Sequence, residues 1–352
     1  MRRRRLFARA LGLLGLGTVT LLSTGCYIVN QGTQFLTYQA RARSLDRAEE
    51  LWPQYKPLFE ETEKIRRFGE KRMGLEMSRN YTSFVKLDRN YLVTVVSAAR
   101  PTSFERKGWW FPVVGEVPYK GFYRERKAAR LAEGLREKGW ETLLRRVDAF
   151  SSLGYFRDPL YSFMSDYHQE RLANLLLHEM VHATIWIADD APLNEAMATF
   201  LGDRGALEYL AETYGEESEV YREGVLRQEE SDRFVAFMRE LTVRLEGLYD
   251  RELPEQEVLE RKGQIIEEER ERFRMSYEEW FSSDRYRFFL EREINNAYVD
   301  LFRTYNEDIA LIESLYEREG RDLRRLLDTL GEVSAAEEPR SRLLELIAFG
   351  RE

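Results

Sequence analysis

Read along its length, the chain shows a basic leader with an uncharged apolar run and then three stretches of different hydrophobic period. Arg2 to Arg5 are cationic, Leu11 to Leu22 are largely apolar, and Ser23-Thr24-Gly25-Cys26 closes the segment. The apolar run is too short to span a bilayer and ends in small residues, so residues 1–25 read as an export signal. Residues 26–42 read as a tether. From Ser44 to Met73 apolar positions recur at helical spacing, interrupted at Pro53 and Pro57, which predicts short helices packed on a larger body. The period then shortens. Tyr81 to Leu87, Tyr91 to Ala98, Trp109 to Val114 and Glu141 to Val147 are rich in Val, Tyr, Trp and Phe and bounded by Gly, Pro, Asn or Asp, the pattern of strands. Tyr123 to Lys138 predicts a helix between the last two. Ala149 to Phe156 predicts one further strand.

Beyond it the period lengthens again. Leu172, Leu175, Leu176, Met180, Ile185 and Ile187 predict a buried helix from Gln169, with Asp166 as its cap. Residues 188–191 read as a turn, and Pro192 suits the first turn of a second helix. From Arg204 onward the pattern is almost wholly helical, with Glu and Arg on solvated faces, and the aromatic series Tyr277, Trp280, Phe281, Tyr286, Phe288 and Phe289 reads as core. The expectation is an α+β fold: residues 43–203 carry a small mixed sheet and two buried helices, and residues 204–352 form a helical part that completes a cleft.

Composition adds two constraints. The 352 residues carry a net charge of −8, and loss of residues 1–25, which hold five arginines and no acid, would make the remainder more acidic. A surface of that sign argues against nucleic acid as a partner. Cys26 is the single cysteine, so no internal disulfide staples the fold, and a chain of this length can bury a sufficient core without one.

The chemistry concentrates in Leu177-His178-Glu179-Met180-Val181-His182. Two of the three histidines stand four residues apart, which on a helix places both rings on one face. Neutral imidazole nitrogens about 2 Å from a zinc ion supply half of its shell, and the adjacent glutamate can take a proton from a zinc-activated water. Catalytic zinc commonly keeps three protein ligands. Thirteen residues after His182 comes Glu195, which a helix folded back across the first would bring to the histidines. His168 falls off the ligand face and reads as a surface residue of the first turn.

HExxH followed by Leu193-Asn194-Glu195 and Ala198-Thr199-Phe200 resembles the gluzincin metallopeptidases. The resemblance implies a zincin-like fold, zinc ligands His178, His182 and Glu195, and Glu179 as general base. Two departures stand out: the gap to the glutamate is shorter than in thermolysin-like members, and Thr199 replaces the aspartate that orients a zinc histidine there, leaving Asp203 or a backbone carbonyl for that role. A closer resemblance, to the bacterial predicted-aminopeptidase family, is carried by Trp110-Phe111-Pro112-Val113-Val114-Gly115, Val117-Pro118-Tyr119-Lys120-Gly121-Phe122-Tyr123, Ser151-Ser152-Leu153-Gly154-Tyr155-Phe156-Arg157-Asp158-Pro159-Leu160 and Asn295-Asn296-Ala297. It implies aminopeptidase activity but fixes no substrate.

In zincins an edge strand upstream of the metal helix hydrogen-bonds an extended peptide, which makes residues 149–156, with Gly154, the expected substrate platform. Asn295 and Asn296 are further candidates for substrate contact. Tyr155, Tyr298 and Tyr305 are candidates for the donor to the oxyanion, and Glu116 or Asp158 for the acid that would pair with a substrate ammonium. Ser23 to Cys26 resembles the lipobox of bacterial lipoproteins, although Ser23 stands where leucine is usual. The resemblance implies acylation of Cys26, and Tyr27 after it implies the periplasmic face of the outer membrane in a two-membrane bacterium. The expected partners are therefore a peptide substrate and, through the lipid, a membrane; no oligomeric state can be read. Two other readings remain at this point: an envelope endopeptidase, and a lipid-anchored scaffold with a vestigial metal site.

Overall fold

Helix caps and prolines set the entry to the folded body. In the computed structural model, which describes residues 40–111, 115–147, 158–306 and 308–348, strand β1 (Arg43–Ser44) leads into α1 (Leu45–Leu51), whose first turn is capped by the Ser44 hydroxyl. Pro53 opens a 3-10 turn and Pro57 sits in the first turn of α2 (Lys56–Phe68). Both prolines thus stand where a missing N–H is harmless. Helix α2 continues as a π-type turn, Gly69–Met73, closed by Gly74 in the left-handed region.

Four of the predicted strands form, with four more that the pattern did not mark, and together they divide among three small sheets. Strands β2 (Ser83–Val85) and β8 (Leu160–Tyr161) join β1 in the order β1-β2-β8, with one antiparallel and one parallel pairing. β4 (Trp109–Phe111) and β5 (Gly115–Val117) make a hairpin. β3 (Val93–Ala99), β6 (Tyr119–Phe122) and β7 (Glu141–Val147) form an antiparallel sheet in the order β6-β3-β7. Side-chain alternation explains how that sheet is covered on both faces. Val96, Ala98 and Phe122 pack under Ala128, Ala132 and Leu135 of α3 (Glu125–Arg136), whereas Val93, Val95, Ala99 and Leu143 belong to the main cores. The expected strand at residues 149–156 lies outside the described residues.

The helical body follows: α4 (Gln169–Thr184), α5 (Ala191–Tyr214), α6 (Glu219–Tyr249), α7 (Glu255–Trp280), α8 (Phe288–Glu291), α9 (Asn296–Asn306), α10 (Ile309–Arg318), α11 (Leu323–Ser334) and α12 (Pro339–Ala348). Helix α5 runs unbroken across positions 203 and 204. One core gathers the buried faces of α2, α4 and α5 with Ile312, Leu315, Leu323, Leu326, Leu330 and Leu343 from the last three helices. A second joins α6, α7, α8 and α9 through Phe234, Phe237, Phe273, Tyr277, Phe281, Tyr286, Phe289 and Tyr298, so most of the aromatic series is core, with Phe288 left exposed. Among the described residues no helix is long and apolar enough to cross a membrane.

Candidate metal centre

The metal helix is started by a histidine. His168 Nδ1 accepts the Glu170 N–H at 3.2 Å and caps α4, while its Nε2 stands 3.1 Å from a Glu223 carboxylate oxygen. Asp166, the expected cap, ends the preceding 3-10 turn instead. Leu172, Ala173, Leu176, Leu177, Met180 and Val181 bury one face of α4, and the four-residue spacing brings His178 and His182 together beside it, with ring centroids 4.8 Å apart and planes at 85°.

A stapled turn then reverses the chain. Asp189 takes a left-handed conformation, φ 59°, which a short polar side chain tolerates, and Asp190 caps α5 by accepting the Leu193 N–H at 3.2 Å. Asn194 is buried and uses both ends of its amide: Oδ1 accepts the Ile187 N–H at 2.9 Å, and Nδ2 donates to the Ile187 and Asp190 carbonyls at 2.7 and 2.9 Å. The residue before Glu195 therefore fixes the loop that aims it. Arg340 of α12 adds a clamp from outside, donating to both carboxylate oxygens of Asp190 and to those of Asp308. Close packing of the two helices depends on glycine. A methyl group at Gly202 would stand 3.2 Å from the Asn174 carbonyl oxygen and from His178 Cβ, and one at Gly205 would meet the Met73 sulfur at 2.8 Å.

These elements bring His178, His182 and Glu195 into one group that could hold a metal ion. The two Nε2 atoms are 3.1 Å apart, and the Glu195 oxygens lie 3.6 Å from His178 Nε2 and 3.7 Å from His182 Nε2. Donors about 2.0–2.2 Å from a tetrahedral ion stand about 3.3–3.6 Å from one another, so the spacing suits zinc. The electrostatics agree. Burial, helped by neighbouring His178, pushes His182 down to about 4, which keeps it neutral and able to ligate. Burial alone would lower His178 as well, but the hydrogen bond to Glu195 and the charges of Glu179, Glu195 and Asp203 outweigh it and raise it. Burial would raise Glu195, yet the bond from His178 and the charges of His182, His178 and Arg145 hold it below the usual carboxylate range. His178 and Glu195 thus favour a positive charge between them, beside a neutral His182.

Asp203 accepts a hydrogen bond from Asn174 Nδ2 and acts electrostatically on His178; burial and the charges of Asp232 and Glu170 push it up to about 7. It is one of the two substitutes expected for the missing orienting aspartate. Among the described residues the buried His182 Nδ1 has no hydrogen-bond partner.

Glu179 projects from the same helix as the histidines and is half-buried. Tyr81 lies within its electrostatic reach, a residue that the period of the chain did not single out. It is 2 % exposed, has φ 61°, and donates its N–H to the Asp158 carbonyl at 2.6 Å. A bulky side chain in the left-handed region is a strained arrangement that its surroundings must enforce. Burial first, then the charges of Glu179, Asp158 and Tyr161, drive its hydroxyl well above the usual tyrosine range, so it remains a proton donor. Trp186, 44 % exposed, presents an edge to His182 at 5.9 Å and forms an apolar wall.

Other expected site residues are engaged elsewhere. Asn295 is buried, donates to the Thr142 carbonyl at 3.2 Å and accepts the Tyr298 N–H at 3.1 Å. Asn296 is fully buried; its Nδ2 donates to the Arg100 and Ser103 carbonyls and its Oδ1 accepts from the Tyr249 hydroxyl. Both tie the β6-β3-β7 sheet to the second core, a structural role in place of the expected substrate contact. Tyr298 is buried in that core against Phe302 and Arg292, so it offers no donor to the metal group. Glu116 stands across from Trp110 in the β4-β5 hairpin. Gly154, Tyr155 and Cys26 lie outside the described residues, as does the side chain of Tyr305.

No curated protein and no solved structure matches the chain. A family model described as Putative aminopeptidase matches residues 28–344. That span takes in the helix pair, both cores and the strands ahead of them, and the chain belongs to this putative aminopeptidase family.

Proposed function

We propose that the protein is a zinc-dependent peptide hydrolase, an aminopeptidase, tethered to the cell envelope by acylation of Cys26. The observation that carries the reading is the approach of His178 Nε2, His182 Nε2 and the Glu195 carboxylate to within 3.1–3.7 Å of one another, beside Glu179. When bound by these three residues, zinc supplies Lewis-acid polarisation of the scissile carbonyl and acidification of the attacking water. Glu179 accepts the proton of that water and delivers it to the departing amine. Tyr81, kept protonated by burial, donates to the oxygen on which negative charge develops, the role expected of Tyr155, Tyr298 or Tyr305. Trp186 holds the apolar part of the substrate. The short turn stapled by Asn194 keeps Glu195 in register with the histidines.

The test is metal analysis of the purified full chain, followed by incubation with a mixed peptide pool and mass spectrometry. One zinc per chain and residue-by-residue shortening from peptide N-termini, abolished by a chelator and restored by zinc, is the expected result. Internal cleavage alone would make it an endopeptidase; intact peptides with zinc bound would end the peptidase reading. Tyr81→Phe gives a second check: kcat falls about 10²- to 10³-fold with KM and zinc content unchanged. An unaltered kcat would remove Tyr81 from the mechanism.

A further inference from the structure

One ring joins the start of the metal helix to α6. His168 Nδ1 accepts the Glu170 N–H at 3.2 Å and the His168 carbonyl accepts the Leu172 N–H at 3.0 Å, so side chain and backbone together begin α4. On its other side the ring places Nε2 3.1 Å from one carboxylate oxygen of Glu223, whose second oxygen accepts from Arg227 at 2.7 Å. Arg285, in the turn after α7, donates to the Arg227 carbonyl at 3.2 Å. Glycine permits this approach: a methyl group at Gly224 of α6 would stand 3.4 Å from Glu170 Cβ and 2.6 Å from Leu210 Cδ1. The His168 side chain is 13 % exposed.

A neutral imidazole carries one N–H and one lone pair. Because Nδ1 receives a backbone N–H, the lone pair is there and the single proton is on Nε2, directed at Glu223. A second proton can enter only at Nδ1, where it would meet the Glu170 N–H donor to donor. It would also set a positive charge at the N-terminus of α4, against the helix dipole. The charged groups around the ring are Glu223 and Arg227 of α6, Arg285, and Glu170 of α4 itself. Burial, with the charges of Arg227 and Arg285, outweighs Glu223, which favours the cation, and holds His168 below the usual histidine value of 6.5.

We infer that His168 is an acid-released latch: neutral, it fastens the start of the metal helix to α6; protonated, it gives up the helix and keeps only Glu223. Because the folded protein prefers the neutral ring, the latch contributes fully above about pH 6.5, and its contribution is lost as pH falls from there through the lower folded value. His178, Glu179 and His182 follow on the same helix, so mild acid loosens the start of the element that carries the metal group. An effect on turnover rests on the peptidase reading above; release of the helix does not.

The experiment compares the zinc-loaded full chain with His168→Asn, which caps a helix without titrating, and with His168→Ala, which does neither. Proton–nitrogen spectra of the wild-type rings at about pH 7.5 should show the His168 proton on Nε2. Hydrogen exchange of the Glu170 and Leu172 amides, expressed as protection over the unfolded rate, is then read at about pH 7.5 and about pH 5.5. Expected is a fall of about fivefold between the two in the wild-type protein, constant protection in His168→Asn, and low protection throughout in His168→Ala. Protonation of His178 and His182 is common to all three proteins and cancels in the comparison. An equal fall in wild type and His168→Asn, or a His168 proton on Nδ1 at the higher pH, overturns the latch. Where peptides are cleaved, the acid limb of kcat/KM should lie at lower pH in His168→Asn than in wild type, and coincident limbs overturn the reach of the latch to the metal group. A chain that cleaves nothing defeats the peptidase reading, while the spectra and the exchange still decide the latch.

Discussion

Glu179→Gln leaves the protein with its full equivalent of zinc and lowers kcat by about 10²- to 10⁴-fold. The exchange preserves the shape of the side chain and the surroundings of α4 while removing the group that can accept a proton from water. The histidines are untouched, so metal content measured by inductively coupled plasma mass spectrometry stays at one per chain. KM changes little, because Glu179 acts on the proton in flight rather than on peptide binding. Retained turnover in a variant with stoichiometric zinc would move the base to another residue.

His182→Ala has an effect of similar size by another route. His182 is the more enclosed of the two rings, with 6 % of its side chain exposed, and it is held neutral, so it is the ligand whose loss leaves the fewest substitutes. Because disturbing even the partner that orients a metal-bound histidine weakens binding about 10- to 100-fold, removing the ring itself weakens zinc binding by more than about 100-fold. Activity falls to background. Misfolding is separated from metal loss by thermal unfolding with and without zinc. At a hundredfold excess over Kd, zinc stabilises the wild-type protein by about 2.7 kcal/mol, and the variant loses that increment while keeping the melting behaviour of the metal-free protein apart from its small cavity. A wild-type melting temperature indifferent to zinc would contradict the metal centre altogether.

The parts of this site that were readable in the sequence are the local ones. Four residues on a helix bring His178 and His182 together whatever the rest of the fold does, and the short passage through Pro192 brings Glu195 back without help from distant chain. The cap of α4 was misplaced by two residues because a histidine that accepts a backbone N–H is unlabelled by its side-chain type. Tyr81 could not be found from periodicity, since its position depends on the Asp158 carbonyl and on burial against elements far along the chain. Asn295 and Asn296 were misread for the same reason: paired uncharged amides resemble ligand contacts until their partners at Thr142, Arg100, Ser103 and Tyr249 are known. β1, β5, β6 and β8 were not marked by the pattern, but the α+β character and the positions of β2, β3, β4 and β7 followed from it. Their division into three sheets did not, because strands of two to four residues carry too little alternation to specify which edge they join.

The clamp from Arg340 onto Asp190 has a consequence for biosynthesis. The start of the helix that carries Glu195 is fastened by a residue 150 positions further along the chain, so both imidazoles are translated long before the third donor can be locked in place. The segment through Arg340 must have left the ribosome before these three side chains are fastened together, and a chain interrupted ahead of that residue holds a donor set that is present in composition but loose in geometry.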